Sequence, residues 1–167
     1  MLDPNRNPSD NMWRSLLTPM LGVLSERFMK VELAESDAEI LACFPVMQHL
    51  RDLESAAEFL RQVRNQQNSG YCLAFVTDGG KPLAVAGFRL GENLAWGRHL
   101  YVDDLVTLPE ARSNGCGAFL LVWLSQRAQS EGVGEIHLDS GVGRTDAHRF
   151  YEREGLKVSS YHFKRTL

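Results

Sequence analysis

The fold of this chain is decided by the stretch Leu105-Val-Thr-Leu-Pro-Glu-Ala-Arg-Ser-Asn-Gly-Cys-Gly-Ala118. Its first residues close an apolar strand, and its last residues open an apolar helix, so the loop between them joins a strand directly to a helix. Glycines at 115 and 117 let a ligand come close to the backbone. The free N–H groups and dipole of the helix start, together with the charge of Arg112, predict a site for a phosphate or pyrophosphate.

The loop alone leaves two interpretations open. Its spacing, Arg112-x-x-Gly115-x-Gly117, is not the Gly-x-Gly-x-x-Gly of dinucleotide-binding folds, and it lacks the Gly-Lys-Ser/Thr of a P-loop. A loop that only needs tight turns would also contain two glycines. A second motif is therefore needed to choose between an anion site and a structural turn.

That second motif is the stretch Ala147-His-Arg-Phe-Tyr-Glu-Arg-Glu-Gly-Leu156, which lies on a predicted helix downstream of the loop. Pro-x-x-Arg-x-x-Gly-x-Gly followed by Ala-x-x-Phe-Tyr-x-x-x-Gly-Leu, in this order and at this separation, resembles the GNAT acetyltransferase superfamily. The resemblance covers residues 29 to 167. The two motifs are specific together, whereas either one alone is not.

The resemblance implies both a fold and an activity. The expected fold is α/β, with a mixed central β-sheet of six or seven strands, about four flanking helices, and a splay between the fourth and fifth strands. The implied activity is transfer of acetyl from acetyl-CoA directly to a primary amine of a small molecule or peptide, without a metal. A non-catalytic acetyl-CoA-binding sensor or scaffold is the alternative, but a sensor has no need of Tyr151. A nucleotide-phosphate-binding module is a third hypothesis.

The resemblance also assigns the residues that contact acetyl-CoA. Tyr151 matches the general acid near the cofactor sulfur, and His148 is a partner of the loop or the cofactor. Arg144 stands where the family often has asparagine, and is a candidate for a coenzyme A phosphate. The pyrophosphate would be wrapped by Arg112, Ser113, Asn114, Gly115, Cys116, Gly117 and Ala118. The pantetheine arm would pair with the backbone of Leu105, Val106 and Thr107, opposite Leu138, Asp139 and Ser140.

The reaction also needs a base, because an ammonium group cannot attack a thioester. Asp103 and Asp104 are adjacent on a predicted strand, so alternation predicts that their side chains point to opposite faces. Asp103 shares parity with Leu105 and Thr107, and an acidic pair of this kind occurs in polyamine acetyltransferases of the superfamily. We therefore expect Asp103 to be the base, through water, with its pKa raised by burial from about 3.9. A surface or hydrogen-bonding role for Asp103 is the alternative.

Four residues are candidates for contact with the acceptor. His49 and Arg51 lie between the first two predicted helices, where the resemblance places the acceptor pocket. Tyr101 shares parity with Asp103 on the same strand. Asp104 is either structural or a contact for the cation of the substrate.

The order of elements agrees with one α/β domain preceded by a tail. The apolar spacing from Trp13 to Phe28 predicts an amphipathic helix within residues 1–28, either packed on its own domain or forming a homodimer contact. The turn Asp78-Gly-Gly-Lys81 predicts a hairpin. Predicted helices cover 37–47, 53–66, 115–131 and 145–154, and predicted strands cover 29–34, 71–77, 83–90, 98–108, 135–140 and 156–166.

Composition restricts the remaining possibilities. The 167 residues suit one domain, and the net charge of −3 gives no general reason to bind nucleic acid; it fits a cationic acceptor better. Three cysteines without CxxC spacing and five histidines without HxxxH or HExxH predict neither a disulfide framework nor a metal site. No apolar run is long enough to span a membrane, so we expect a reduced, cytoplasmic protein.

Overall fold

The structure, a computed structural model, describes residues 29–167. The amphipathic helix expected within residues 1–28, and with it the homodimer contact, lies outside the described residues. In the described part, the strands are β1 Lys30–Leu33, β2 Tyr71–Thr77, β3 Pro82–Asn93, β4 Gly97–Thr107 and β5 Ile136–Leu138. The α-helices are α1 Asp37–Met47, α2 Ala56–Gln67, α3 Cys116–Ser130 and α4 Thr145–Arg153, and a 3₁₀ turn at Pro109–Ala111 precedes α3.

The five strands form one mixed sheet in the order β1-β2-β3-β4-β5. β1 to β4 are antiparallel neighbours, and β5 pairs parallel to β4. The Asp78–Lys81 turn joins β2 to β3 as predicted. The α3 crossover returns the chain to the parallel strand β5.

The helices form a layer on each face of the sheet. One buried cluster contains residues of α3 with Phe88 and Val102 of the sheet, and α4 packs against the same cluster through Phe150 and Tyr151. The opposite cluster contains residues of α1 and α2 with Val85 of the sheet. Both faces are therefore covered, as in other α/β domains.

Serine caps set the first turns of α1 and α2. Ser36 accepts from the N–H of Glu39, and the Glu39 carboxylate accepts from the N–H of Ser36, which forms a capping box. Ser55 accepts from the N–H of Glu58 in the same way. Because Ser55 is the N-cap, α2 begins at Ala56 and not at Leu53, where the apolar spacing had placed it.

A β-bulge in β4 changes which face its side chains occupy. Gly87 pairs with Asp104 and Phe88 pairs with Val102, so Asp103 is an extra residue with no partner in β3. Val102 packs in the cluster under α3, whereas Val106 packs in the cluster under α1 and α2. Without the bulge these two residues, four apart, would share a face.

The predicted C-terminal strand is wrong, and with it the count of six or seven strands. No strand forms within 156–167, so the described sheet has five strands. Val158, Tyr161 and Phe163 are 79%, 84% and 90% exposed. A strand in this segment would need a long unpaired strand edge to bond to and a layer of side chains to cover its apolar face. The neighbouring strand β5 offers three residues for pairing.

Candidate functional site

The two central strands of the site separate at its centre. β4 and β5 pair from Leu100–Ile136 to Val102–Leu138, and no pairing follows. On its other edge β4 stays bonded to β3, where Leu108 donates its N–H to the carbonyl of Leu83. Alternation then directs the N–H groups of Leu105 and Thr107 toward the gap beside β5. These N–H groups line a cleft that the described chain does not fill.

The loop between β4 and α3 has the backbone of an anion-binding turn. Ser113 (φ 63°) and Gly115 (φ 82°) are both left-handed, and the first helical bond runs from the N–H of Phe119 to the carbonyl of Gly115. No side chain caps α3, so its first N–H groups face outward. A Cβ on Gly117 would lie 3.2 Å from Phe150 Cζ, which brings the loop against α4.

Two polar side chains near this cleft differ in what they can offer a ligand. Cys116 is buried, with its Sγ 3.9 Å from Met29 Sδ, so only its backbone faces the loop. Ser140 Oγ is buried and has no hydrogen-bond partner in the described chain. A buried hydroxyl without a partner is costly, so Ser140 fits a bound polar group such as an amide. The cleft thus suits both the phosphates and the amide-bearing arm of coenzyme A.

Tyr151 is directed at the cleft from α4. It lines a cavity with Leu105 and Leu138, one residue from each separated strand. Its hydroxyl makes no hydrogen bond with residues 29–167. Burial raises the pKa of Tyr151, and the nearby charge of Arg144 opposes that rise. The phenol therefore stays protonated at neutral pH and can donate.

The acidic pair belongs to a network on the α1–α2 face. Asp104 is buried and accepts from Arg51 Nε at 2.6 Å and from the Tyr71 hydroxyl at 2.8 Å. Asp103 Oδ2 accepts from Arg89 Nε at 2.8 Å, and Arg89 lies over the Tyr71 ring. Asp104 has both oxygens engaged, whereas Asp103 keeps Oδ1 without a hydrogen-bond partner among the described residues.

The predicted separation of the two aspartates onto opposite faces is therefore wrong. Strand alternation fails at the bulge, so Asp103 and Asp104 both reach the face that carries Tyr71 and Arg89. The predicted parity of Asp103 with Leu105 and Thr107 fails for the same reason. Leu105 packs toward α3, and Thr107 Oγ1 lies beside Gly117.

A cavity of about 230 Å³ opens where the separated strands meet the α1–α2 loop. Asp103, Tyr151 and Arg51 all line it. Its lining is mostly polar and comprises Leu50, Arg51, Val102, Asp103, Leu105, Leu138, Asp139, Gly141, Arg144 and Tyr151.

The other predicted acceptor and loop residues lie around this cavity. Tyr101 donates its hydroxyl to Asp139 Oδ2 at 2.6 Å, and burial raises its pKa. His148 Nε2 lies 3.0 Å from the carbonyl oxygen of Gly141, so it holds the loop before α4. His49 is exposed and does not line the cavity, and Asp104 is sequestered behind it.

Sequence reasoning missed three contributors to this site. Tyr71 of β2 and Arg89 of β3 are opposite each other in the sheet. Whether they reach the two aspartates depends on the register of β2 with β3 and of β3 with β4, which the hairpin and the bulge define. His162 Nδ1 lies 3.0 Å from Asp139 Oδ2, although the chain there forms no strand. The sequence offered one clue to Arg89, namely a positive residue on a strand that neighbours the acidic pair. Arg89 lies on the same face of β3 as Gly87 and Gly91.

Two kinds of feature are absent from the part of the chain that the structure describes. No three histidine, cysteine, aspartate or glutamate side chains within 29–167 gather as metal ligands would. No helix in that range has the length and apolar character needed to cross a membrane.

Comparison with known proteins identifies the family. Residues 35–156 match the family model described as the acetyltransferase (GNAT) family. This chain belongs to the GNAT acetyltransferase family. GNAT proteins use acetyl-CoA, and the chain is an acyltransferase enzyme of that family.

Three similar proteins illustrate the relationship. YhdJ of Bacillus subtilis, an uncharacterised N-acetyltransferase, is 33% identical over 132 residues, which cover 78% of this chain and 93% of that protein. An aminoalkylphosphonate N-acetyltransferase of Salmonella typhimurium is 39% identical over 66 residues, 40% of this chain and 43% of that protein. The aminoglycoside N-acetyltransferase AAC(6')-Iy, solved with CoA, shares the fold with a TM-score of 0.71 at 13% identity, covering 86% and 99% of the two chains.

Proposed function

We propose that this enzyme transfers an acetyl group from acetyl-CoA directly to a primary amine of a small molecule or peptide. One observation carries the proposal: the phenol of Tyr151, which has no hydrogen-bond partner within 29–167, and the carboxylate of Asp103 line the same cavity, at the point where β4 and β5 separate. The cavity thus has both a proton donor and a proton acceptor in its lining, as direct acyl transfer to an amine requires.

The donor is held by backbone groups in this proposal. The N–H groups at the start of α3 bind the pyrophosphate, with Arg112 and the loop residues 113–118 around it. The N–H groups of Leu105 and Thr107 bind the pantetheine arm, and Ser140 Oγ gains the partner that it lacks. When bound, acetyl-CoA supplies the activated acetyl thioester to the cavity.

Asp103 takes the proton of the incoming ammonium through a bridging water. Its Oδ2 is occupied by Arg89, which orients the carboxylate, and its Oδ1 remains available. Asp104 is unsuited to this role because Arg51 and Tyr71 occupy both of its oxygens. Its part is to hold Arg51 at the cavity wall.

Tyr151 donates its proton to the departing thiolate. Burial keeps the phenol protonated, and the absence of a hydrogen-bond partner in the described chain leaves that proton available. Phe150 approaches Gly117 so closely that a Cβ there would lie 3.2 Å from Phe150 Cζ, which places α4 against the loop between β4 and α3. The position of the phenol is thereby tied to the position of the donor.

A thiol-release assay with acetyl-CoA over a panel of primary amines tests the proposal. We expect release that depends on both the amine and the enzyme, with acetylated amine formed in equal amount. Binding of acetyl-CoA without release for any amine would favour a sensor, and failure to bind acetyl-CoA would remove the proposed donor.

A further inference from the structure

The acceptor cavity carries charges of both signs in balance. Arg51, Asp103, Asp139 and Arg144 line it. Behind the wall, Arg89 is paired with Asp103, and Asp104 is paired with Arg51. Three arginines therefore oppose three aspartates in and around the cavity, and residues 29–167 offer no surplus carboxylate there for a second cationic group of an acceptor.

The carboxylates of this cavity are already held by neighbouring groups. Asp103 accepts from Arg89, while Asp139 accepts from the Tyr101 hydroxyl and lies 3.0 Å from His162 Nδ1. These acids can hold one ammonium group. A polyamine, which carries several cationic groups, would need more negative charge than they leave.

Two arginines that line the cavity, Arg51 and Arg144, keep N–H donors unused. Arg51 spends Nε on Asp104 and Nη2 on the carbonyl oxygen of Asp103, which leaves Nη1. The Arg144 guanidinium makes no hydrogen bond or ion pair with any residue of 29–167, yet Arg144 lines the cavity close enough to Tyr151 to affect the pKa of the phenol. An arginine fork with open donors matches the oxygens of a phosphonate, phosphate or carboxylate.

We propose that the acceptor is a small zwitterion, a primary amine joined by a short linker to an anionic oxygen group that binds Arg51 and Arg144. This inference rests on the proposed acetyl transfer. The amine is directed to Asp103 and Tyr151, and the cavity of about 230 Å³ admits a molecule of a few heavy atoms beside the thioester. The acceptor class is therefore predicted from the charges that line the cavity and not from the net charge of −3 of the whole chain.

One similarity agrees with this substrate class. The relative from Salmonella typhimurium is named as an aminoalkylphosphonate N-acetyltransferase, and an aminoalkylphosphonate is an amine on a short linker to an anionic group. The match spans 40% of this chain, so the inference depends on the cavity charges and not on that name.

The first test compares matched amines in the thiol-release assay. The probes are 2-aminoethylphosphonate, O-phosphoethanolamine and β-alanine against neutral ethanolamine and dicationic putrescine. We expect kcat/KM for at least one anionic probe to exceed that for ethanolamine and putrescine by about tenfold or more, and the preference to shrink as salt rises. The three anionic arms distinguish phosphonate, phosphate and carboxylate. Equal or better use of ethanolamine or putrescine would overturn the proposal and leave acetyl transfer standing.

The second test asks whether Arg144 binds the acceptor or the donor. Arg144→Gln should raise KM for the preferred anionic probe about tenfold, leave KM for ethanolamine within about twofold, and leave the Kd for acetyl-CoA unchanged; Arg144→Lys should retain much of the affinity. Arg149→Gln, at an exposed position of α4, is the matched control. A weaker Kd for acetyl-CoA with an unchanged acceptor KM would assign Arg144 to a coenzyme A phosphate and overturn its proposed role.

A binding measurement keeps the proposal testable if no probe is acetylated. 2-Aminoethylphosphonate and ethanolamine are titrated calorimetrically into the protein saturated with CoA. Tighter binding of the phosphonate, lost in Arg144→Gln, supports the zwitterion site even without turnover. Equal or absent binding of both overturns it. Failure of acetyl transfer itself would be seen separately, as the absence of thiol release from acetyl-CoA with every amine of the panel.

Discussion

The hydroxyl of Tyr71 occupies the space that a side chain on Gly87 would need. A Cβ built on Gly87 would lie 1.9 Å from that oxygen and 2.6 Å from Asp104 Oδ2. Glycine at 87 is therefore what allows Tyr71 to reach Asp104 across the sheet. Asp104 in turn accepts a hydrogen bond from Arg51, so the position of Arg51 at the cavity depends on the absence of a side chain at Gly87.

Gly87→Ala should destabilise the fold by about 1–3 kcal/mol, because the Tyr71 ring must move and its hydrogen bond to Asp104 is lost. Urea unfolding of the variant measures this. Gly80→Ala is the matched control, since a Cβ there meets nothing within 4 Å. Equal stabilities for the two variants would show that the ring moves at no cost.

Gly117→Glu should abolish the stabilisation by acetyl-CoA. At about 100 times its Kd, a ligand stabilises a protein by about 2.7 kcal/mol, and a carboxylate at the start of α3 would repel the pyrophosphate. Thermal unfolding with and without acetyl-CoA measures the shift. Gly117→Ala controls for the 3.2 Å approach to Phe150. A folded Gly117→Glu with the full shift would move the phosphate site elsewhere.

Tyr151→Phe should lower kcat by about 10²- to 10⁴-fold while the Kd for acetyl-CoA stays nearly constant, because only the donated proton is removed. Burial raises the pKa of Tyr151, so the alkaline decline of kcat in the unmodified enzyme should lie above about pH 10 and disappear in the variant. Tyr161→Phe, at an exposed position, is the control. Near-normal kcat at all pH values would exclude Tyr151 as the acid.

Asp103→Asn should impair activity, whereas Asp104→Asn should lower stability. The first should remove the acidic limb of kcat/KM while leaving stability nearly unchanged, because its carboxylate lies at the cavity. The second should cost about 1–3 kcal/mol of stability, because Arg51 and Tyr71 lose their shared partner. The pH–rate profile and urea unfolding of both variants separate these effects. A changed acidic limb only in a folded Asp104→Asn protein would reverse the roles.

Cys43 should make the fold less stable in alkali. Burial raises the pKa of its thiol from 9.0 to about 12, so above pH 9 the unfolded chain loses a proton that the folded chain keeps. The free energy of unfolding should then fall with pH by up to about 1.4 kcal/mol per unit, between the two pKa values. Cys43→Ala should show a shallower decline between pH 9 and 11. Parallel declines in the two proteins would contradict this.

Local signals in the sequence predicted most of the fold. The Asp78–Lys81 turn and the apolar spacing of α3 each act over a few residues, and the elements they predict are present. The motif around Tyr151 likewise placed that residue at the cavity. Such features depend on neighbours in the chain, which a sequence displays directly.

Non-local features could not be predicted in the same way. The bulge at Asp103 is defined by its pairing with β3, so alternation gave the wrong face for one aspartate. The role of Arg89 depends on the register of two hairpin strands. The segment after Leu156 alternates like a strand, but its pairing depends on an edge that β5, at three residues, scarcely provides.

Asp103 is an insertion in β4 that the rest of the strand does not depend on for its register. Deleting it would restore regular pairing, because Val102 and Asp104 already lie opposite the consecutive residues Phe88 and Gly87. Leu105 and Thr107 would keep their partners in β3, so their N–H groups would still point toward β5. A lineage that discards this residue therefore loses the proposed base and keeps the edge on which the donor is proposed to lie, which makes the acid separable from the frame that presents it.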